Sequence, residues 1–209
     1  DVQRKGASLF ERLPRAGFRI EVAPEALEDS TISHYTPPQA GGGRPGVFTF
    51  NVRDSMRRLR GELAVLCYHE IFPGHHLQLA LAQELTHLPA FRRTIVFTSY
   101  IEGWAKYAET VPETLGLMDD PRVALCRMRG ELYSTVNLVL DTGVNAKGWS
   151  HAEAAAYFTA KTGAPEGLAS VMVARSILNP GQLCSYKIGM LKMLDLKQRL
   201  ERARGPAFD

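Results

Sequence analysis

The pattern of apolar and polar residues divides the chain into a short β-rich segment and a long helical one. Residues 17–22 alternate apolar and polar side chains, which predicts a half-buried strand that ends at Pro24. A loop rich in proline and glycine over residues 37–46 precedes residues 47–52, whose aromatic and β-branched side chains predict a second strand. We therefore expect a small two-stranded antiparallel sheet before the helical region that begins at residue 55.

From residue 55 onward the spacing of apolar residues is helical almost to the end of the chain. Ser150 and Glu153 form a capping-box pattern, which predicts the start of a helix. We expect one mainly α-helical domain over residues 1–209, with the strands and loop in 1–54 and the helical body in 55–209. The predicted helices are 2–13, 55–85 with an interruption at Pro73-Gly74, 98–116 with a break or kink at Pro112, 121–145, one starting at 150, 165–178 and 181–204.

Composition excludes several classes of protein. The net charge of +3 is small and its basic residues are scattered, so nucleic acid is not an expected partner. No apolar run is long enough to span a membrane and no signal peptide opens the chain, so we expect a cytoplasmic protein without membrane contact. Three widely spaced cysteines among apolar residues predict free thiols rather than a disulfide framework. The chain begins inside a helical pattern, which suggests a piece of something longer.

The densest group of potential metal ligands contains His69, Glu70, His75 and His76, within eight residues. Imidazole and carboxylate groups are zinc ligands, and a glutamate beside a ligand histidine is the usual general base of zinc hydrolases. A standard zincin helix contains His-Glu-x-x-His, because residues four apart share a helical face. Here the second histidine position is occupied by Pro73.

The spacing of the histidines is unfavourable for an unbroken helix. His76, seven residues after His69, would return to the same face but lie about 10.5 Å along the axis, and His75 would point away. Pro73 removes a backbone N–H and Gly74 tolerates unusual dihedral angles, so a kink there can bring a later histidine beside His69. The spacing alone leaves a metal site and a helix–turn–helix corner with packed histidines equally open.

A second candidate element contains Glu102 and Glu109, which are seven residues apart and therefore share one face of an apolar helix. Glu102 follows His75 by 27 residues, which is enough chain to finish one helix and return antiparallel. It could then be a third ligand, or simply a carboxylate favoured by the dipole at a helix N-terminus. A buried Glu102 would need a cation or hydrogen bonds.

Two further side chains near the C-terminus have chemistry that suits catalysis. A tyrosine hydroxyl such as that of Tyr186 can stabilise the oxyanion of a tetrahedral intermediate, and an arginine such as Arg175 can bind a carboxylate. A lone tyrosine is more often a residue of the core or its rim, and neither role follows from the sequence alone.

Several motifs follow one another in a fixed order over nearly the whole chain. They are Arg44-Pro45-Gly46-Val47-Phe48, His69-Glu70-x-x-Pro73-Gly74-His75, Glu102-Gly103-Trp104-Ala105-x-Tyr107-x-Glu109, Asp141-Thr142-Gly143, Trp149 and Pro180-Gly181-Gln182-x-x-Ser185-Tyr186-x-Ile188-Gly189. In this order they resemble a bacterial family known as domain of unknown function 885. The family is zinc-peptidase-like and distantly similar to the carboxypeptidase Taq and thimet oligopeptidase group, which implies a helical zincin-like fold.

The resemblance implies a role for each matching residue. It favours His75 over His76, because the family's steadier histidine is the first one after Pro-Gly. The implied roles are zinc ligation by His69, His75 and Glu102, general base catalysis by Glu70, contact with the reacting carbonyl by Tyr186, substrate binding by Arg175 and Gln182, and orientation of the ligands by Gln78 and Glu109, with His76 and Asn145 as further candidates for ligation or orientation.

Two departures from the family pattern bear on activity. The family has a histidine where this chain has Asn145, so a weakened or altered reaction is one expectation. Family members are also commonly more than twice as long, and the chain corresponds to the C-terminal catalytic half. A missing N-terminal half or a partner chain could complete the cleft.

The leading hypothesis is a zinc-dependent metallopeptidase that binds one Zn²⁺ per chain and cleaves short peptides with metal-activated water. Another divalent transition metal stays open, because two histidines and a carboxylate also suit non-haem iron. The rival hypotheses are a non-catalytic or partner-dependent metal-binding relative, and a biosynthetic hydrolase acting on a small amide.

Overall fold

The computed structural model of the chain describes residues 2–28, 32–53, 58–94 and 97–205. These residues form two compact units. The first contains Asp1–Phe97 and Tyr107–Arg127, and the second contains Thr98–Lys106 and Met128–Asp209. Two helices, Thr98–Ala108 and Pro121–Lys147, each contribute residues to both units.

The described part of the first unit contains a three-stranded mixed sheet. Its strands are β1 (Phe18–Val22), β2 (His34–Thr36) and β3 (Gly46–Phe50), in the order β1-β3-β2. β1 pairs with β3 in parallel and β2 pairs with β3 antiparallel. The prediction of a two-stranded antiparallel sheet is therefore wrong, because the sheet has three strands and β1 and β3 are parallel. The chain between β1 and β3 is long enough to cross over, and β2 has only three residues, too few for a visible alternation.

The alternation in β1 also predicted a half-buried strand, and the structure corrects this. Ile20 and Val22 are 58% and 62% exposed. Alternation identifies two faces of a strand but does not determine whether another element covers either of them. The second predicted strand, by contrast, is observed as β3, where Val47 and Phe48 are buried.

The prediction of a mainly helical chain is confirmed, and most helices lie close to the predicted segments. The segment 2–13 is helical only to Gly6 and continues as a short 3₁₀ turn, and the segment 98–116 is two helices. No helix in the described ranges is long and apolar enough to cross a membrane. The predicted start at residue 55 lies outside the described residues. The helices are α1 (Val2–Gly6), α2 (Arg60–Glu70), α3 (His75–Glu84), α4 (Ala90–Thr94), α5 (Thr98–Ala108), α6 (Val111–Thr114), α7 (Pro121–Lys147), α8 (His151–Thr162), α9 (Glu166–Leu178) and α10 (Gln182–Arg204).

The predicted interruption at Pro73-Gly74 separates α2 from α3. α2 ends at Glu70, and α3 begins at His75 after a tight turn. A Cβ atom on Gly74 would overlap the carbonyl oxygen of His69. Only glycine lets the backbone pass this close to the last turn of α2, so the turn that carries His75 depends on Gly74.

The second unit has a continuous apolar core made by α7, α8, α9 and the start of α10. The capping box that predicted α8 is present: the Ser150 hydroxyl accepts the Glu153 N–H at 3.2 Å, and the Glu153 carboxylate accepts the Ser150 N–H at 2.8 Å. The buried core residues are Val136, Leu140, Ala154, Ala155, Phe158, Ala164, Ala169, Val173 and Leu183.

Within the second unit, α5 and α10 cross with their backbones in close contact. A Cβ atom on Gly103 would overlap Gly189, and one on Gly189 would overlap the carbonyl oxygen of Ser99. The crossing therefore requires glycine in both helices. It lies one residue from Glu102 in α5 and three residues from Tyr186 in α10.

The three cysteines are free, as predicted. Cys126 is buried, and Cys67 and Cys184 are partly buried. Burial raises the pKa of each thiol, so these side chains are poor nucleophiles at neutral pH.

Candidate metal centre

His69 lies in the last turn of α2, and its orientation is set by a carboxylate. Its Nδ1 lies 2.8 Å from Oε1 of Glu109, which follows the C-terminus of α5 and is 4% exposed. A carboxylate in this position accepts the Nδ1–H, fixes the ring and makes Nε2 more basic. This is the usual arrangement around a histidine that binds zinc through Nε2.

His75 is the first residue of α3, directly after the turn at Gly74. Its ring centroid is 4.7 Å from that of His69, and the two ring planes are nearly perpendicular, at 84°. The interruption thus brings together two histidines that an unbroken helix would direct apart.

A carboxylate joins these two rings. One nitrogen of His69, one nitrogen of His75 and one oxygen of Glu102 lie within 4.8 Å of one another. Glu102 lies on α5 and Glu109 directly follows the end of that helix, so one continuous segment supplies both a potential ligand and the group that orients His69. His75 is buried, and His69 and Glu102 are partly buried.

The donor set fits a divalent zinc ion. Two imidazole nitrogens and one carboxylate oxygen leave a fourth tetrahedral position for water or substrate, as in catalytic zinc sites. Ligand atoms about 2.1 Å from a tetrahedral ion lie roughly 3.4 Å apart. Atoms separated by up to 4.8 Å would need to approach by at most about 1.4 Å, a displacement that small side-chain rotations can produce.

His76 faces a different environment from His75. Its Nδ1 lies 2.8 Å from the hydroxyl of Tyr35, and its ring packs against Phe18 and Tyr35. It is 1% exposed, and burial lowers its pKa. The structure therefore places His75 in the group of potential ligands and His76 against the sheet.

Glu70 and Gln78 accompany the two histidines in sequence and are both 7% exposed. Glu70 is the last residue of α2, next to His69, and Gln78 is on α3, one turn after His75. A carboxylate can act as a general base when it lies within hydrogen-bond reach of the water molecule whose proton it accepts.

Tyr186, Gln182 and Arg175 form a hydrogen-bonded chain in the second unit. The Gln182 amide donates to the Tyr186 hydroxyl at 3.0 Å, and Arg175 donates to Gln182 Oε1 at 3.1 Å. Burial raises the pKa of Tyr186 and the Glu102 carboxylate raises it further, while the charge of Arg175 and hydrogen bonds from Arg175 and Gln182 lower it. Tyr186 therefore retains its proton at neutral pH and lies within electrostatic range of Glu102.

Asn145 is engaged in another network. Its Nδ2 lies 3.1 Å from Asp141 Oδ1 and 3.1 Å from both the hydroxyl and the carbonyl oxygen of Ser176. Asp141 in turn accepts the backbone N–H of Gly181. These contacts give Asn145 a structural role that its sequence position did not reveal.

Two residues with long-range contacts, Tyr35 and Asp141, were not identified from the sequence. Tyr35 lies in a strand too short to predict and contacts His76 from 41 positions away. Asp141 was part of a recognised motif, but nothing in that motif indicated a bond to Gly181. Both interactions are long-range, so no local pattern could have signalled them.

The structure thus defines a class of protein: mainly helical, with a mixed sheet and a cluster of two histidines and one carboxylate. The chain belongs to the family described as bacterial protein of unknown function (DUF885), whose sequence profile matches residues 1–209. No curated protein matches it significantly.

Two solved structures are similar to the chain over its whole length. One is a protein from Colwellia psychrerythraea, provisionally described as a lipoprotein, with 36% identity and a TM-score of 0.94. The other, from Shewanella oneidensis, is provisionally described as a lipoprotein of unknown function, with 21% identity and a TM-score of 0.78. The chain spans 36% and 38% of their lengths. These relatives give no support to the expected cytoplasmic location.

Proposed function

We propose that the protein is a zinc-dependent hydrolase that cleaves peptide or amide bonds of short substrates. The observation that carries the proposal is the approach of His69, His75 and Glu102 to within 4.8 Å, with His69 oriented by Glu109. A structural carboxylate at Glu102 would not by itself account for two adjacent histidines and a dedicated orienting carboxylate. The zinc-peptidase-like resemblance of the sequence motifs adds to the proposal.

In the proposed site, His69, His75 and Glu102 would hold the ion, which when bound polarises the substrate carbonyl and acidifies water. Glu70 would take the proton of the attacking water and deliver it to the leaving nitrogen. Tyr186 would donate a hydrogen bond to the oxygen of the tetrahedral intermediate.

Replacing the proposed base should separate metal binding from turnover. In Glu70→Gln we expect zinc to remain at one equivalent while peptide cleavage falls by about 10²–10⁴-fold or more, because a neutral amide cannot accept the proton. Zinc content by mass spectrometry and cleavage of a peptide library measure the two quantities. Glu113→Gln, in a side chain that is 65% exposed, is the matched control and should retain both. Undiminished cleavage in Glu70→Gln would refute the mechanism.

A non-catalytic metal-binding relative is the second candidate, and Asn145 favours it. Its side chain is bonded to Asp141 and Ser176, where the sequence motif of the family has a histidine. One equivalent of zinc without any chelator-sensitive cleavage by the wild-type protein would favour this candidate over the enzyme.

We also propose an extracytoplasmic location, supported by the lipoprotein descriptions of both relatives. Fractionation of cells that express the protein from its own gene tests this, and recovery only in the cytosolic fraction would contradict it.

A further inference from the structure

The hydrogen-bonded chain of Arg175, Gln182 and Tyr186 has a fixed direction. Arg175 is in the last turn of α9, Gln182 is the first residue of α10, and Tyr186 lies one turn later. A guanidinium group can only donate hydrogen bonds, so the Gln182 atom that faces Arg175 must be the carbonyl oxygen Oε1. The amide NH₂ then necessarily faces Tyr186.

This direction determines what the tyrosine can do. The Gln182 Nε2 donates to the phenol oxygen at 3.0 Å and occupies one of its acceptor positions. The phenol hydrogen must then point to a different acceptor. A tyrosine whose hydrogen is kept away from its nearest polar neighbour is prepared to donate it to a developing anion.

We propose that Gln182 is a positioning residue that, once oriented by Arg175, keeps the Tyr186 hydroxyl available as a hydrogen-bond donor at the candidate site. The inference rests on the proposed function in that the anion is the oxygen of the tetrahedral intermediate. The sequence motifs imply that Arg175 and Gln182 bind substrate. In this proposal they instead orient the Tyr186 hydroxyl.

The backbone that carries Gln182 is held by a second network. Asp141, 2% exposed, accepts the Gly181 N–H with both carboxylate oxygens, at 2.9 and 3.2 Å. Asn145 bonds to Asp141 and to Ser176, which precedes the turn into α10. Gly181 itself has a φ of +82°, a conformation that favours glycine. Asp141 and Asn145 of α7 therefore hold the start of α10 in place, and with it the backbone of Gln182.

The substitution Gln182→Glu tests the direction of the chain. Glutamate preserves the bond to Arg175, but its second oxygen can only accept, so the Tyr186 hydrogen should turn toward it and away from the site. We expect kcat to fall by on the order of 10²-fold with little change in KM, which is the cost of losing one oxyanion donor. Gln198→Glu, an exposed position on the same helix, carries the same change of charge and should leave kcat unchanged.

A double-mutant cycle distinguishes positioning from substrate binding. In a Tyr186→Phe background, Gln182→Glu should have no further effect, because the hydroxyl it redirects is absent. A full additional loss of kcat, or an increase in KM with unchanged kcat, would overturn the proposal.

A spectroscopic readout is independent of catalysis. In protein labelled with ¹³C at the tyrosine Cζ, the Tyr186 resonance, assigned from Tyr186→Phe, should move downfield in Gln182→Glu as the hydroxyl donates to the new carboxylate. An unmoved resonance would overturn the proposal even in an active enzyme. A downfield shift in a protein without hydrolase activity would support the directed hydroxyl and refute only the proposed function.

Discussion

Two adjacent histidines, His75 and His76, have opposite environments at the scale of single residues. Successive residues of a helix point about 100° apart, so neighbours at the start of α3 cannot face the same partner. His75 contacts the ring of His69, whereas His76 bonds to Tyr35. One belongs to the candidate metal centre, and the other fixes the helix against the sheet.

Alanine substitution should separate these two roles. We expect His75→Ala to lower zinc affinity by more than about 100-fold, the upper end of the loss for a residue that only orients a ligand. His76→Ala should keep zinc affinity within about 10-fold but lower the free energy of unfolding by roughly 1–3 kcal/mol, because Tyr35 loses its buried partner. Zinc titration calorimetry and urea denaturation measure these quantities. Loss of zinc in His76→Ala with retention in His75→Ala would reverse the assignment.

The residues of the candidate site could be predicted from the sequence, but their arrangement could not. His69, Glu70 and Glu102 stand out because a histidine-glutamate pair and an inward glutamate are unusual in apolar helices. The choice between His75 and His76 depended on a motif resemblance, since their spacing fits no regular helix. The deciding geometry is the passage of Gly74 over the His69 carbonyl, a steric feature that periodicity does not express.

At the scale of elements, the crossing of α5 and α10 determines how closely the helix of Glu102 approaches the helix of Tyr186. Gly103 and Gly189 contact each other at this crossing, and neither has room for a Cβ atom. Glycine is unfavourable inside a helix by about 1 kcal/mol relative to alanine. Close packing of the two backbones offsets that cost.

The crossing should not tolerate a methyl group. We expect Gly103→Ala to lower the free energy of unfolding by about 1–3 kcal/mol, because the helices must separate or shift. Gly167→Ala is the matched control: it also lies in a helix, α9, but a Cβ there contacts nothing within 4 Å, so it should be neutral or stabilise by up to about 1 kcal/mol. Midpoints of urea denaturation compare the two variants, and equal midpoints would show that the crossing is not tightly packed.

Elements were predicted well where their signals are local and poorly where they depend on pairing. α8 follows from the capping box at Ser150, because that signal lies within four residues. The sheet was wrong because the parallel pairing of β1 with β3 and the insertion of β2 connect residues far apart in sequence. Strand direction is decided by such long-range pairing, whereas helix formation is decided largely within a few turns.

At the scale of the whole molecule, the candidate ligands come from three different helices. His69 is in α2, His75 in α3 and Glu102 in α5, so an ion bound by all three would connect helices that the unfolded chain does not hold together. A ligand that binds only the folded state stabilises it by RT ln(1 + [L]/Kd). Zinc binding should therefore raise the free energy of unfolding, which can be measured before a substrate is known.

We expect zinc at about 100 times its Kd to stabilise the protein by about 2.7 kcal/mol, which corresponds to a rise in Tm of roughly 5–10 °C for a chain of this size. Scanning calorimetry of the metal-free protein with and without zinc measures the shift. His75→Ala is the control, since it removes one ligand and should abolish most of the rise. An equal rise in His75→Ala would show that zinc binds elsewhere, and no rise in the wild type would remove the basis for a metal centre built from these helices.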